Sequence, residues 1–86
     1  MAGFLKYAIV NNNGTFTLTL DSYIVIGAIN GTITVSINMA HPNETPIFFE
    51  LPETIPSGKA KGIQLRCPTE IVIKVTGGDA RIMYWD

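Results

Sequence analysis

Eighty-six residues make one small domain and exclude a two-domain enzyme, since a domain ordinarily takes about 100–200 residues. Six Lys and Arg against seven Asp and Glu give a net charge of −1, so no basic excess draws in a phosphate backbone and nucleic acid is not an expected partner. Only 15% of the chain is charged while 47% is hydrophobic. Thr and Asn stand where charge is missing, and the twelve Ile and nine Thr are β-branched residues that suit a pleated sheet.

The chain has a single cysteine, Cys67, which cannot form an internal disulfide and reads as a small buried hydrophobe. No Lys- or Arg-led apolar run with a small-residue cleavage site opens the sequence, so no signal peptide is expected. The densest apolar run, Tyr23 to Ile29, is far shorter than the ~18 residues of a membrane-spanning helix. The expectation is a soluble protein made in a reducing cytoplasm, with no membrane partner.

In chain order, residues 4–10 have strand length and composition, and the Asn11-Asn12-Asn13-Gly14 cluster marks a turn. Residues 15–20 alternate Phe16, Leu18 and Leu20 with Thr15, Thr17 and Thr19, the pattern of a half-buried strand. After Asp21-Ser22 comes a strand over 23–29. Asn30-Gly31 then predicts a two-residue type I′ hairpin that pairs 23–29 antiparallel with 32–38.

Four prolines between His41 and Gly62 interrupt regular pairing and leave only Ile47 to Leu51 as a short edge strand. Ser57 to Gly62 reads as an exposed loop. Strands follow at 63–67, 70–76 and, after Gly77-Gly78-Asp79, at 80–85. The expected fold is all-β, a small antiparallel β-sandwich or jelly-roll-like barrel of about seven or eight short strands, in one domain spanning 1–86.

Catalytic chemistry finds little support. His41, the single histidine, lies in the Pro-rich segment and reads as a loop imidazole; enzyme chemistry would require it to meet Cys67. One His and one Cys do not make a zinc site, and Glu50 and Glu53 read as solvated carboxylates rather than an acid/base pair. The segment Gly58-Lys59-Ala60-Lys61-Gly62 lacks the spacing and the following hydroxyl of a phosphate loop. No enzyme activity, cofactor or metal is expected. The sequons at Asn13, Asn30 and Asn43 are read as turn chemistry rather than glycan acceptors.

The informative feature is an excess of apolar residues on strands that should be half solvated. In 23–29, Tyr23, Val25 and Ile29 alternate with Ile24, Ile26 and Ala28, so both faces are apolar. In 80–85, Ala80, Ile82 and Tyr84 alternate with Arg81, Met83 and Trp85, and the adjacent Phe48 and Phe49 must point to opposite sides of a strand. No helix is available to cover a second face, whereas small domains commonly gain stability by oligomerising. Phe48, Phe49, Met83, Tyr84 and Trp85 are the expected interface, 41–62 a docking loop and Met1 to Gly3 an extended arm.

A compact β domain with two-sided apolar strands and no catalytic set resembles the small decoration, cement or fibre modules of virus particles, especially those of tailed bacteriophages. The resemblance is one of architecture and size. It implies a homo-oligomer, a trimer among the possible forms, bound to a larger lattice or fibre in a virion. The alternative is a carbohydrate-binding sandwich using Trp85 and Tyr84 with Asn11, Asn12 and Asn13.

Overall fold

The computed structural model describes residues 5–18, 22–41, 43–65 and 70–85; of Ser22, Leu65 and Trp85 it describes the backbone. Eight strands follow one another without a helix among the described residues: β1 (Leu5–Val10), β2 (Thr15–Leu18), β3 (Ser22–Ala28), β4 (Thr34–Asn38), β5 (Phe48–Glu50), β6 (Ala60–Leu65), β7 (Ile71–Thr76) and β8 (Ala80–Trp85). They form two antiparallel four-stranded sheets, β1-β8-β3-β6 (sheet A) and β2-β7-β4-β5 (sheet B).

The pairing is nested. Leu5 pairs with Trp85, Thr15 with Lys74, Ser22 with Leu65, and Ser36 with Glu50. The first half of the chain therefore runs antiparallel to the second, as one long hairpin rolled into two layers. At its bend the His41 N–H donates to Glu44 Oε1 at 2.7 Å, and the Glu44 N–H donates to the His41 carbonyl at 2.9 Å.

Alternation decides which side chains lie between the layers. Val10, Ile24, Ile26, Ala28, Ala80 and Ile82 come from sheet A, and Leu18, Val35, Ile73 and Val75 from sheet B; with Ile33 and Ile55 they form one buried cluster. Ile33 and Ile55 exchange a pair of 2.9 Å backbone hydrogen bonds outside the named strands, bringing the loop before β6 against the start of β4. The Phe16 and Tyr84 rings meet across the layers with centroids 5.0 Å apart and planes tilted by 58°, a favourable offset for two aromatic quadrupoles.

The predicted hairpin between 23–29 and 32–38 does not form. β3 pairs with β6 and β8 in sheet A, while β4 pairs with β5 and β7 in sheet B. A type I′ turn needs φ > 0 at both central residues, and only Gly31 meets that condition, at φ 69°. Asn30 instead reaches across to Asp79: its Nδ2 donates to Asp79 Oδ2 at 3.1 Å, and its Oδ1 accepts the Asp79 N–H at 2.9 Å. The Asn-Gly pair thus carries the chain from one sheet to the other.

The expected loop over 57–62 is also corrected. β6 starts at Ala60, because Ala60 and Lys61 take up pairing with Gly27 and Ile26 on β3. The strand expected at 63–67 accordingly begins three residues earlier and is described to Leu65, with Arg66 and Cys67 outside the described residues. The extended-arm reading of Met1 to Gly3 also lies outside them.

Candidate interaction surface

Sheet A has a second face, pointing away from the core. Directly opposed residues of an antiparallel pair lie on the same face, so each rung across the sheet can be read from the register. Tyr7 lies opposite Met83, Met83 opposite Val25, and Val25 opposite Gly62. The neighbouring rung runs Ile9, Arg81, Gly27, Ala60. Leu5 and Tyr23 continue the same outward positions on β1 and β3.

Four of these side chains are well exposed for large apolar groups: Tyr7 at 60%, Ile9 at 53%, Tyr23 at 47% and Leu5 at 38%. A Cβ built at Gly62 would run into the Tyr23 phenol, so the Tyr23 ring lies over this glycine and the backbone itself forms part of the surface. Arg81 is the one charged side chain among the described outward positions of sheet A. Four strands about 4.8 Å apart and six residues long give a face of about 400 Å², apolar groups and glycines together.

The outer face of sheet B is different in kind. Its rungs run Thr15, Lys74, Ser36, Glu50 and, on either side, Thr17 opposite Val72 and Thr34 opposite Thr76. Val72 and Phe48 are the large apolar groups there, and the Phe48 ring is covered in part by the Lys74 ammonium, 5.7 Å from its centroid. Threonines and charges solvate this face.

The five expected interface residues do not form one patch. Phe48 and Phe49 lie on β5, at the edge of sheet B, with Phe48 outward and Phe49 opposite Ile37 and exposed. Met83 lies on the outer face of sheet A, whereas Tyr84 turns inward onto Phe16. Trp85 is placed by its backbone opposite Leu5. Leu5, Tyr7 and Ile9 complete the apolar face and escaped the sequence reading. Their signal was present, since residues 5–10 hold a single charge, Lys6, and no polar alternation.

The residues expected to bind carbohydrate are also separated. Tyr84 lies opposite Lys6 at one end of β8, while Asn11, Asn12 and Asn13 follow Val10, which lies opposite Ala80 at the other end. The asparagines hold turns: Asn13 adopts φ 67°, the Gly14 N–H donates to the Asn11 carbonyl at 2.7 Å, and Asn12 Oδ1 accepts the Gly77 N–H at 2.9 Å.

Asp79 ties this end together. Its carboxylate accepts the Asn12 N–H at 2.9 Å and Asn30 Nδ2 at 3.1 Å, joining three crossings between the sheets. The Asn12 backbone bond, then the Asn30 side-chain bond, hold its pKa below the ordinary carboxylate value. A depressed native pKa adds stability that is present above the unfolded pKa and lost as pH falls through the native one. The thermal midpoint should therefore fall as the pH drops from about 5 to about 2, and Asp79→Ala should show a shallower fall. Equal slopes in a calorimetric pH series would show that Asp79 is not the titrating tie.

Among the described residues no three His, Cys, Asp or Glu side chains come close enough to hold a metal ion. A surface groove lined by Glu53, Thr54, Ile55, Pro56 and Lys59–Lys61 has its Lys61 ammonium 3.5 Å from Glu53. His41 is exposed in its turn. No helix among the described residues is long and apolar enough to cross a membrane.

No model of a known protein family matches the chain, and no curated protein sequence matches it.

Proposed function

We propose that this chain is a non-enzymatic structural module that assembles with copies of itself and attaches to a larger protein lattice or fibre, as virion decoration, cement and fibre modules do. In such a particle it would be made in the host cytoplasm and incorporated on assembly. The sandwich belongs with the jelly rolls on this reading. The nested pairing of β1 with β8, β2 with β7, β3 with β6 and β4 with β5, split over two sheets, supports that placement.

The observation that carries the reading is the contrast between the two outer faces. An 86-residue sandwich gains nothing by holding Leu5, Tyr7, Ile9 and Tyr23 in water. Interface cores are depleted of charge and enriched in Tyr and Met, and the outer face of sheet A carries Tyr7, Tyr23 and Met83 with one charge among its described side chains.

Paired substitutions test it. Tyr7 and Thr17 occupy outward positions on edge strands of the two sheets, both exposed. Tyr7→Lys should lower the mass measured by sedimentation, while Thr17→Lys should leave it unchanged, both with β-sheet circular dichroism retained. Equal behaviour of the two variants would remove the distinction between the faces.

The carbohydrate reading keeps one point of support, the exposed Tyr7 and Tyr23 rings on the same face as Arg81 and Gln64. A glycan array separates it from assembly, because sugar binding by a monomer would favour the second reading.

A further inference from the structure

We infer that β1 is the seat of self-association: two copies pair β1 antiparallel to β1 about a two-fold axis at Tyr7, making sheet A continuous across the dimer. This rests on the assembly reading above and specifies where on the module it acts.

A sheet edge offers unpaired N–H and C=O groups to any passing strand, and proteins guard such edges with short strands, Pro, Lys or Gly. Three of the four edges here are guarded. β5 has three residues, bracketed by Pro46 and Pro52; β2 has four, with Thr15 and Thr17 outward; β6 follows Lys59 and contains Lys61 and Gly62. β1 differs. It has six residues and, like β6, one Lys as its second residue, but no Pro or Gly, so five of its six residues are uncharged with full backbone pairing capacity. Among the described residues only β8 pairs with it.

Within sheet A the exposed apolar groups concentrate at this edge, while Met39, Ile47 and Phe49 form a second exposed group beside the three-residue β5. Tyr7 and Ile9 are the most exposed of the large apolar side chains on the sheet A face, and the rungs end at β6 in Ala60, Gly62 and Gln64. Packing the two outer faces squarely on each other would bury Arg81, with no acidic side chain among the described outward positions of that sheet to pair with it. Edge pairing leaves Arg81 beside the contact and solvated, which avoids burying an unpaired cation.

Self-pairing also fits residue by residue. With the axis at Tyr7, Tyr7 meets Tyr7 of the second copy, Leu5 meets Ile9, and Lys6 meets Ala8. Each outward residue meets an outward apolar residue, and like charges are not opposed. The molecule measures 33 × 32 × 19 Å, so its side wall offers at most about 600 Å² in projection per copy, the lower end of specific interfaces and the size of a concentration-dependent dimer. The partner is thus a second copy of this chain, through the backbone-pairing mode of strand addition.

Cysteine scanning tests the register. In the full chain carrying Cys67→Ser, Tyr7→Cys should form a disulfide-linked dimer under mild oxidation, because opposed Cα atoms of antiparallel strands are about 4.5–5.5 Å apart. Leu5→Cys alone should not cross-link, but mixed with Ile9→Cys it should give the heterodimer. Ile9→Lys should raise the dimer dissociation constant at least about 100-fold while keeping the wild-type circular dichroism. An oligomer that lacks the Tyr7 cross-link, or that Ile9→Lys leaves intact, overturns this inference and leaves the assembly reading standing. A wild-type chain that stays monomeric at every concentration overturns both.

Discussion

Replacing Ile82 by Ala should cost about 2–5 kcal/mol of folding stability, as large a loss as truncating any other of the fully buried isoleucines. Ile82 is fully buried in the middle of β8, opposite Ala8 on β1 and Ile26 on β3. Both neighbouring strands are hydrogen-bonded to β8, and Ala80 and Ala28 already make the surroundings small. The backbone therefore cannot close in, and the removed atoms leave a cavity as well as a lost transfer term. Against a total of about 5–15 kcal/mol for a domain, that is a large share. Urea denaturation reads it as a drop in midpoint at constant slope. Met83→Ala, one residue along on the outer face, should cost well under half as much in dilute protein. Equal losses would mean that the two faces of β8 have been assigned wrongly.

Gly77→Ala should cost about 2–4 kcal/mol, from backbone strain and a steric clash together. Gly77 sits at φ 93°, where a side chain is strained whatever space surrounds it. A Cβ there would also collide with the Thr32 backbone carbonyl, which cannot rotate away as a side chain would. Its N–H is held by Asn12 Oδ1 at 2.9 Å, so the turn cannot shift without loosening the first crossing. Gly58 provides the control. It has φ 80° but open space around it, so Gly58→Ala carries only the conformational part of the penalty. Equal midpoints for the two variants in the same denaturation series would contradict close packing of the crossings at this end.

The strands were legible in the sequence because their signals are local. Alternation in 15–18 and 71–76, and the turn residues at 11–14 and 77–79, mark eight segments that the fold keeps with end shifts of a few residues. The sheet order was not legible. Asn30-Gly31 between two strands reads locally as a hairpin, yet its outcome is set by Asp79, forty-nine residues away, which captures the Asn30 amide. The Asn12 to Asp79 bond spans sixty-seven residues and leaves no mark in either turn taken alone.

The candidate surface was legible in part. Periodicity showed that Ile24, Ile26 and Ala28 opposed Tyr23 and Val25 across β3, but could not say which set faced inward. The layers settle it, with Ile24 and Ile26 fully buried and Tyr23 outward. Half of the exposed large apolar groups among the described residues, Leu5, Tyr7, Ile9 and Tyr23, lie on that outer face. Tyr84 was placed in the interface by composition, but its ring completes the core through Phe16. β1 was missed because a short apolar strand looks alike whether it is central or at an edge, and only pairing order tells them apart.

Light scattering on the wild-type chain across a dilution series tests the central claim most directly. The account predicts a weight-average mass that is a multiple of the single chain at high concentration and falls toward one chain on dilution. A mass of one chain throughout, in a protein that stays clear and folded at the highest concentration, would contradict it.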